Sequence, residues 1–390
     1  MSKTRPRIAI FTHNYPITSD ERKDAGIFVY DFAHELSKSA EVFIFCPDFG
    51  GNKEEYKKVP VKWLDWHGPK MKFGNWSIYS PLSIFRFFRL MYCGAREAEK
   101  FVKENKIDYC LAAWVVPSAM FTWWVNFRMD TPYFVWILGS DVNKYTKLPI
   151  LRQLAIASLR RAKARFANSY WLIGIVEGLS GKKCKYMDAI TNFGGGTVKA
   201  AKFDRRKYNF LFVGRLEKVK GPDVLISACS ELAKSSGEFK LHILGDGTMR
   251  NYLEDLVGKF NLGRQVRFYG NADREKVTSF MKAADCLVVT SRTESIPLVM
   301  VEAARVGLAT ISTDVGDCKR VIKKYDIGYI AKNEDPVSVG KAMMKAMDEG
   351  KVFKMKRKSG LKRLSDDRSQ KVAVATLLSE IDSKKWPREQ

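Results

Sequence analysis

Short apolar runs alternate with amphipathic stretches along the chain, and the alternation occurs twice. Arg7–Phe11 is a five-residue apolar run that predicts a strand. A polar, turn-rich loop from His13 to Lys23 follows, and Gly26 then opens an amphipathic helix from Ile27 to Leu36. Glu41–Cys46 returns as a second strand. Strand, loop, helix, strand is the grammar of a parallel βαβ unit. The second series begins at Phe210–Val213, with a loop from Gly214 to Gly221 and a helix from Pro222 to Lys234. Pro222 suits a first helical position, where its missing N–H is not needed. Strands are predicted at Lys240–Leu244, Val266–Phe268, Cys286–Thr290 and Ala309–Ser312, with helices over Glu275–Ala284 and Pro297–Arg305 between them. Asn333–Pro336 marks the start of a final surface helix pair, and Gln370 to Trp386 reads as an amphipathic helix.

The pattern predicts an α/β protein of two Rossmann-like, doubly wound domains facing across a cleft. An N-terminal domain is expected over residues 1–190 and a glycine-rich linker over 191–205, centred on Thr191 to Thr197. A C-terminal domain is expected over 206–368, and a closing helix over 369–390 that crosses back to the first domain. Three consecutive glycines, Gly194–Gly196, suit a hinge or a close approach to a ligand and not the middle of an element. The 390 residues suit two cores of ordinary size. The longest apolar stretch, Cys110 to Val125, contains Pro117, Ser118 and Thr122. It falls short of the roughly 20 apolar residues of a spanning helix and predicts a buried strand followed by a helix.

Charge changes the picture. There are 67 Lys and Arg against 43 Asp and Glu, a net charge of +24. Such a chain is expected to meet something anionic: nucleic acid, an anionic membrane surface, or phosphorylated small molecules. Residues 1–190 carry +11 and residues 191–390 carry +13, so the excess is not a basic tail. Val142 to Val176 and Lys351 to Arg363 each hold seven basic residues and no acid. The seven cysteines include no CxxC pair, and the four histidines have no metal-ligand spacing. Free thiols in a reducing compartment and no metal site are the expectation.

In open α/β sheets, ligands bind beyond the carboxyl ends of the strands, so the loops there carry the candidate chemistry. Gly214, Arg215 and Lys220 follow one strand. They would suit phosphate, or a solvated basic loop; the GxxxxGK[ST] pattern is absent. Gly245-Asp246-Gly247 follows the next strand, as a ligand loop or a simple turn. Ser291 to Ala303 places Glu294 and Glu302 eight residues apart around a helix start at Pro297. The free N–H groups near Leu298 and Val299 would suit a phosphate, and the carboxylates would suit hydroxyls.

These stretches together resemble the retaining family 4 glycosyltransferases of GT-B fold, the glycosyl transferases group 1 type. The matching residues are Phe212–Leu216 with Lys220-Gly221, Leu244–Gly247, Val266–Gly270, Ala284–Ser291, and Glu294 to Glu302 as the family's E-x7-E pattern. Gly26–Val29 and Leu138-Gly139-Ser140-Asp141-Val142 carry a looser likeness in the first half. The resemblance implies that Arg215 and Lys220 hold the donor diphosphate. It also implies that Glu294 contacts the transferred sugar and Glu302 the ribose. Gly214, Gly245, Asp246, Ser295, Leu298 and Val299 would line the donor site, with the base near Phe268–Gly270. Gly26, Ser140 and Asp141 would lie on the acceptor side. Two positions depart from the pattern: Leu138 stands where many members have His, and Asn192–Gly196 replaces an Asn-Gly-Val-Asp type of linker.

The implied activity is hexosyl transfer, with retention, from a nucleoside-diphosphate sugar, UDP or GDP being undecided. The acceptor would be a lipid-linked or glycan molecule in cell-surface polysaccharide or glycolipid synthesis. No cofactor is expected beyond this co-substrate. The absence of a DxD sequence points to transfer without a metal. A catalytically silent protein of the same fold is the alternative. Nucleic-acid binding is not expected, since no recognised module accompanies the charge. Ser80 to Lys103 mixes Ile84, Phe85, Phe87, Phe88, Leu90 and Met91 with Arg86, Arg89 and Arg96. It reads either as an interfacial helix on anionic lipid or as a helix packed on the sheet. With the basic-apolar stretch from Lys144 to Arg165, it leads to the expectation of a cytoplasmic protein docked peripherally on the inner face of the cell membrane.

Overall fold

The computed structural model describes residues 5–16, 26–48, 59–66, 80–139, 148–191, 198–235 and 238–381. The chain divides into two compact units, Met1–Thr191 with Gln370–Gln390, and Asn192–Ser369. The predicted linker glycines, Ser140 and Asp141, and the end of the closing helix lie outside the described residues.

Among the described residues the first unit is built on seven parallel strands in the order β3-β2-β1-β4-β5-β6-β7. These are β1 (Arg7–Phe11), β2 (Glu41–Pro47), β3 (Val61–Leu64), β4 (Tyr109–Ala113), β5 (Tyr133–Ile137), β6 (Ala164–Ala167) and β7 (Lys185–Tyr186). Central strands buried on both faces need side chains apolar all along, and Ile8 to Phe11 are fully buried. Helices α1 (Ile27–Leu36), α2 (Pro81–Glu104), α3 (Met120–Met129), α4 (Pro149–Arg161) and α5 (Tyr170–Ser180) cover the sheet. One face carries Phe11, Phe45, Phe101 and Phe121; the other carries Ile10, Phe32, Trp136 and Leu377. The long apolar stretch resolves into β4, a short turn over Val115–Ala119, and α3. Among the described residues no helix is long and apolar enough to cross a membrane.

Among the described residues the second unit has six parallel strands in the order β10-β9-β8-β11-β12-β13. These are β8 (Tyr208–Val213), β9 (Phe239–Leu244), β10 (Val266–Phe268), β11 (Cys286–Val289), β12 (Thr310–Thr313) and β13 (Gly328–Ala331). The α-helices between and after them are α6 (Pro222–Ala233), α7 (Arg250–Lys259), α8 (Arg274–Ala283), α9 (Leu298–Arg305), α10 (Cys318–Tyr325), α11 (Pro336–Glu349) and α12 (Lys351–Asp367). Asp273 and Asp335 cap α8 and α11 by accepting from the N–H groups of Lys276 and Ser338. The strand order reverses beside β8, which pairs with β9 on one side and β11 on the other. The helices that follow β8 and β11 pack into different cores, which makes this the switch point where open α/β sheets form a ligand crevice at the carboxyl edge. The last helix, α13 (Gln370–Leu378), belongs to the first unit. It joins Phe32, Ala33 and Leu36 of α1 in one core, and the Gln370 amide donates to the Ile190 carbonyl.

Candidate active site

Three loops meet at the carboxyl edge of β8, β9 and β10. The Gly214 N–H donates to the Leu244 carbonyl at 3.0 Å, and the Gly245 N–H donates to the Gly270 carbonyl at 2.8 Å. At Gly245 the backbone sits at φ 134°, and a Cβ there would lie 1.9 Å from the Gly214 oxygen. No side chain fits, so the two loops touch backbone to backbone. Asp246 serves this arrangement. Its carbonyl accepts from the Leu216 N–H at 2.9 Å, and its side chain accepts from the Gly247 N–H at 2.8 Å. Phe268 ends β10 half-buried beneath the Arg250 guanidinium, which lies 4.5 Å from the ring centroid.

A buried histidine supports that corner. Asn209 donates its amide to the Lys207 and Asp204 carbonyls at 2.8 and 3.1 Å, so its oxygen faces His242 Nε2 at 3.0 Å. Nε2 then carries the proton, and Nδ1 accepts from the Tyr269 hydroxyl at 2.9 Å. Burial, with Lys240 and Arg267 nearby, lowers the His242 pKa to about 4. The ring is thus neutral at pH 7 and anchors the segment between Phe268 and Gly270.

On the other side of the crevice, the Lys220 ammonium contacts the Glu294 carboxylate. The same carboxylate oxygen accepts from the Ser291 hydroxyl at 3.3 Å. Gly221 carries a left-handed φ of 62°, and a Cβ there would lie 2.1 Å from the Thr290 carbonyl oxygen. The Thr290 hydroxyl donates to the Gly221 carbonyl at 2.8 Å. The loop after β8 therefore lies directly on the loop after β11. Arg215 is exposed and has no ion-pair partner among the described residues. Ser295 is half-buried, and its carbonyl accepts from the Asp317 N–H at 3.0 Å. Leu298 and Val299 form the first turn of α9, where N–H groups have no intrahelical acceptor; Glu302 is half-buried one turn further on.

Arg292 joins the two loops, and its role is not visible in the sequence. Its guanidinium makes two bonds to Asp223, at 2.8 and 2.7 Å, and one to Glu334 at 2.6 Å. It also donates to the Lys218 carbonyl at 2.7 Å, while its own N–H donates to the Val219 carbonyl at 2.8 Å. The bonds it donates to Asp223 come first in raising the arginine's pKa. Burial works against the Asp223 carboxylate, but the arginine outweighs it and holds the pKa below the usual aspartate value. Asp223 and Glu334 lie 69 and 42 residues away in sequence, so only the fold reveals the clamp.

The residues expected on the acceptor side belong to the first unit. Gly26 forms the N-cap of α1 at φ 76°, with its backbone against the Asn14 carbonyl. Ser140 and Asp141 lie outside the described residues. Leu138 packs at the edge of the core that holds Trp136.

Residues 197–362 match the sequence model of the family described as Glycosyl transferases group 1. This stretch is a glycosyl transferases group 1 domain. Glycogen synthase from Mycobacterium tuberculosis is 28% identical over 180 residues, covering 46% of this chain and 44% of that protein. The chain thus matches less than half the length of this relative. Solved structures extend the likeness of fold to nearly all of the chain. Sucrose-phosphate synthase from Thermosynechococcus elongatus superposes with a TM-score of 0.76 at 17% identity, covering 96% of this chain and 98% of that one. Anabaena Alr3699/HepE in complex with UDP superposes with a TM-score of 0.74 at 14% identity, covering 97% and 100%. The fold is that of the GT-B glycosyltransferases.

Proposed function

We propose that the protein is a glycosyltransferase that moves a hexose from a nucleoside-diphosphate donor, held by the second unit, to a lipid-linked or glycan acceptor. The observation that carries this reading is the meeting of Lys220 with Glu294 beside the first turn of α9, within a glycosyl transferases group 1 domain. Negative charge grows on the leaving phosphate as the sugar departs. Arg215, Lys220 and the N–H groups of Leu298 and Val299 are the donors suited to that charge, and fixed donors of this kind need no reorganisation during reaction. Glu294 accepts from the sugar's hydroxyls, and Glu302 from the ribose. The base lies along Phe268–Gly270. The UDP complex of the Anabaena neighbour favours a uridine nucleotide as the first donor to test.

Fixed positive charge stands in this reading where other transferases use a metal ion, and transfer proceeds with retention by attack on the face the phosphate leaves. The reading extends to a role in cell-surface polysaccharide or glycolipid synthesis, with peripheral docking on the cytoplasmic face of the membrane. The docking is supported by exposed Leu82, Ile84, Phe85, Phe88 and Tyr92 on α2.

A thermal-shift panel of nucleotide sugars followed by transfer assays tests the proposal, because a ligand that binds only the folded state raises its stability. Arg215→Ala should lower transfer by about two orders of magnitude or more with melting unchanged, and Lys220→Ala should lower it as much while the chain still folds. Near-normal turnover in both variants would remove the donor-site assignment. Glu302→Gln should raise the donor KM more than it lowers kcat. Loss of activity in EDTA that magnesium or manganese restores would overturn the metal-independent mechanism.

A further inference from the structure

The Lys220–Glu294 contact has a second consequence. The cation suited to phosphate is engaged by a carboxylate. Both side chains are largely withdrawn from water, at 27% and 16% exposure, so the pair is weakly screened. Neither loop is free to carry its charge away. Lys220 precedes Gly221, which lies against the Thr290 backbone, and Arg292 ties the Lys218–Val219 backbone to the loop of Glu294. Ser291 holds the same Glu294 oxygen. An entering phosphate must therefore share Lys220 with a carboxylate that stays nearby.

The two nucleotides that visit the site in each turnover differ at the atom facing this carboxylate. In the sugar donor the distal phosphate is a diester of charge near −1, and the sugar beyond it offers hydroxyl donors. In the product the distal phosphate is a terminal group of charge about −1.5 to −2 at pH 7. No hydroxyl remains there to satisfy Glu294. Like charges at short range repel strongly in a site of low dielectric, and a repulsive element against the wrong ligand is an effective source of discrimination.

We propose that Glu294, held against Lys220, is the residue by which the site favours the sugar-bearing donor over the sugar-free nucleoside diphosphate, and so speeds product release. This rests on the donor-site reading above. Glu294 penalises the extra charge of the product and repays the donor through its sugar hydroxyls.

The experiment measures dissociation constants by calorimetry for UDP, UDP-glucose, GDP and GDP-mannose on the full chain, in wild type, Glu294→Gln, Glu294→Ala, Glu302→Gln and Lys220→Ala. Melting temperatures check that each variant is folded, and either Glu294 variant suffices if the other is not. Removing the Glu294 charge should tighten the nucleoside diphosphate about tenfold while the nucleotide sugar gains nothing or weakens. Glu302→Gln should leave the ratio of the two constants within about twofold of wild type, since the ribose assigned to it is common to both nucleotides. If folded Glu294 variants bind UDP and GDP no more tightly than wild type, the inference is overturned. Failure of the underlying reading looks different: Lys220→Ala would leave all four constants unchanged, or no nucleotide would bind wild type.

Discussion

At the scale of single residues, Lys220 and Glu294 are suggested by their positions just after predicted strands, but Arg292 is not. Its neighbours in sequence make it one of 67 basic residues. Its function lies in Asp223 and Glu334, which the chain brings to it by folding. Arg292→Ala leaves Asp223 without its cation at a side-chain exposure of 21%, a loss of about 1–3 kcal/mol. It also releases the Lys218 carbonyl. We expect kcat to fall about tenfold or more with donor KM rising, and Arg292→Lys to recover stability better than rate, since lysine lacks the two-pronged fork. Unchanged kcat at a lowered melting temperature would make Arg292 purely structural. His242 makes a separate prediction. Its folded pKa of about 4 lies below the ordinary 6.5, so the unfolded chain binds the extra proton between these values. Stability from the neutral ring is complete above pH 6.5 and falls with pH down to about 4, by about 3 kcal/mol at most. His242→Gln should shrink the fall in melting temperature between pH 7 and pH 4.5. An unaltered pH dependence would show that the buried ring is not the proton acceptor.

At the scale of elements, α2 shows why pattern alone left two readings open. Six large apolar residues in eight suit a core helix as well as an interfacial one. The structure divides them: Phe87 and Leu90 are buried against the sheet, whereas Ile84, Phe85 and Phe88 are exposed. A 24-residue helix thus carries one packed stripe and one apolar stripe facing outward beside Arg89 and Arg96. Such a face suits anionic lipid, each nearby Lys or Arg adding about 1 kcal/mol, screened beyond a Debye length of about 8 Å. Co-sedimentation with vesicles containing phosphatidylserine, and little with pure phosphatidylcholine, is the expected outcome, with release by high salt. Arg86→Glu with Arg89→Glu should weaken this binding several-fold without changing nucleotide affinity. Indifference to anionic vesicles at low salt would point to a water-soluble acceptor.

At the scale of the whole molecule, the chain closes its first unit with its last described segment. Val374, Leu377 and Ile381 are buried with α1 although more than 330 residues separate them from it. Burying a Val, Leu or Ile side chain contributes roughly 1.5–3 kcal/mol, so removing residues 370–390 should cost on the order of 5 kcal/mol, comparable to the stability of a whole domain. A chain ending at Ser369 should show an early melting transition or aggregate. Melting like that of the full chain would show the segment to be dispensable.

The sequence by itself determined the class of fold and which loops after strands hold the candidate residues. Parallel strands buried on both faces must be short, continuous apolar runs, and the runs within Arg7–Phe11 and Phe210–Val213 could be read as such. Loops after strands could be read because glycine and charge mark them. The edge strands Lys185–Tyr186 and Gly328–Ala331 could not, since one is only two residues long, the other opens on glycine and is mostly half-buried, and their pairing comes from a neighbouring strand. Only the tertiary structure decided that Gly214, Gly245 and Gly270 share one backbone junction, that Arg292 ties two loops, and that Lys220 meets Glu294. The reason is physical. A strand's pattern records its own burial, which is local, whereas a contact between loops depends on strand order. That order is set by how all six strands of the sheet pack their faces against helices.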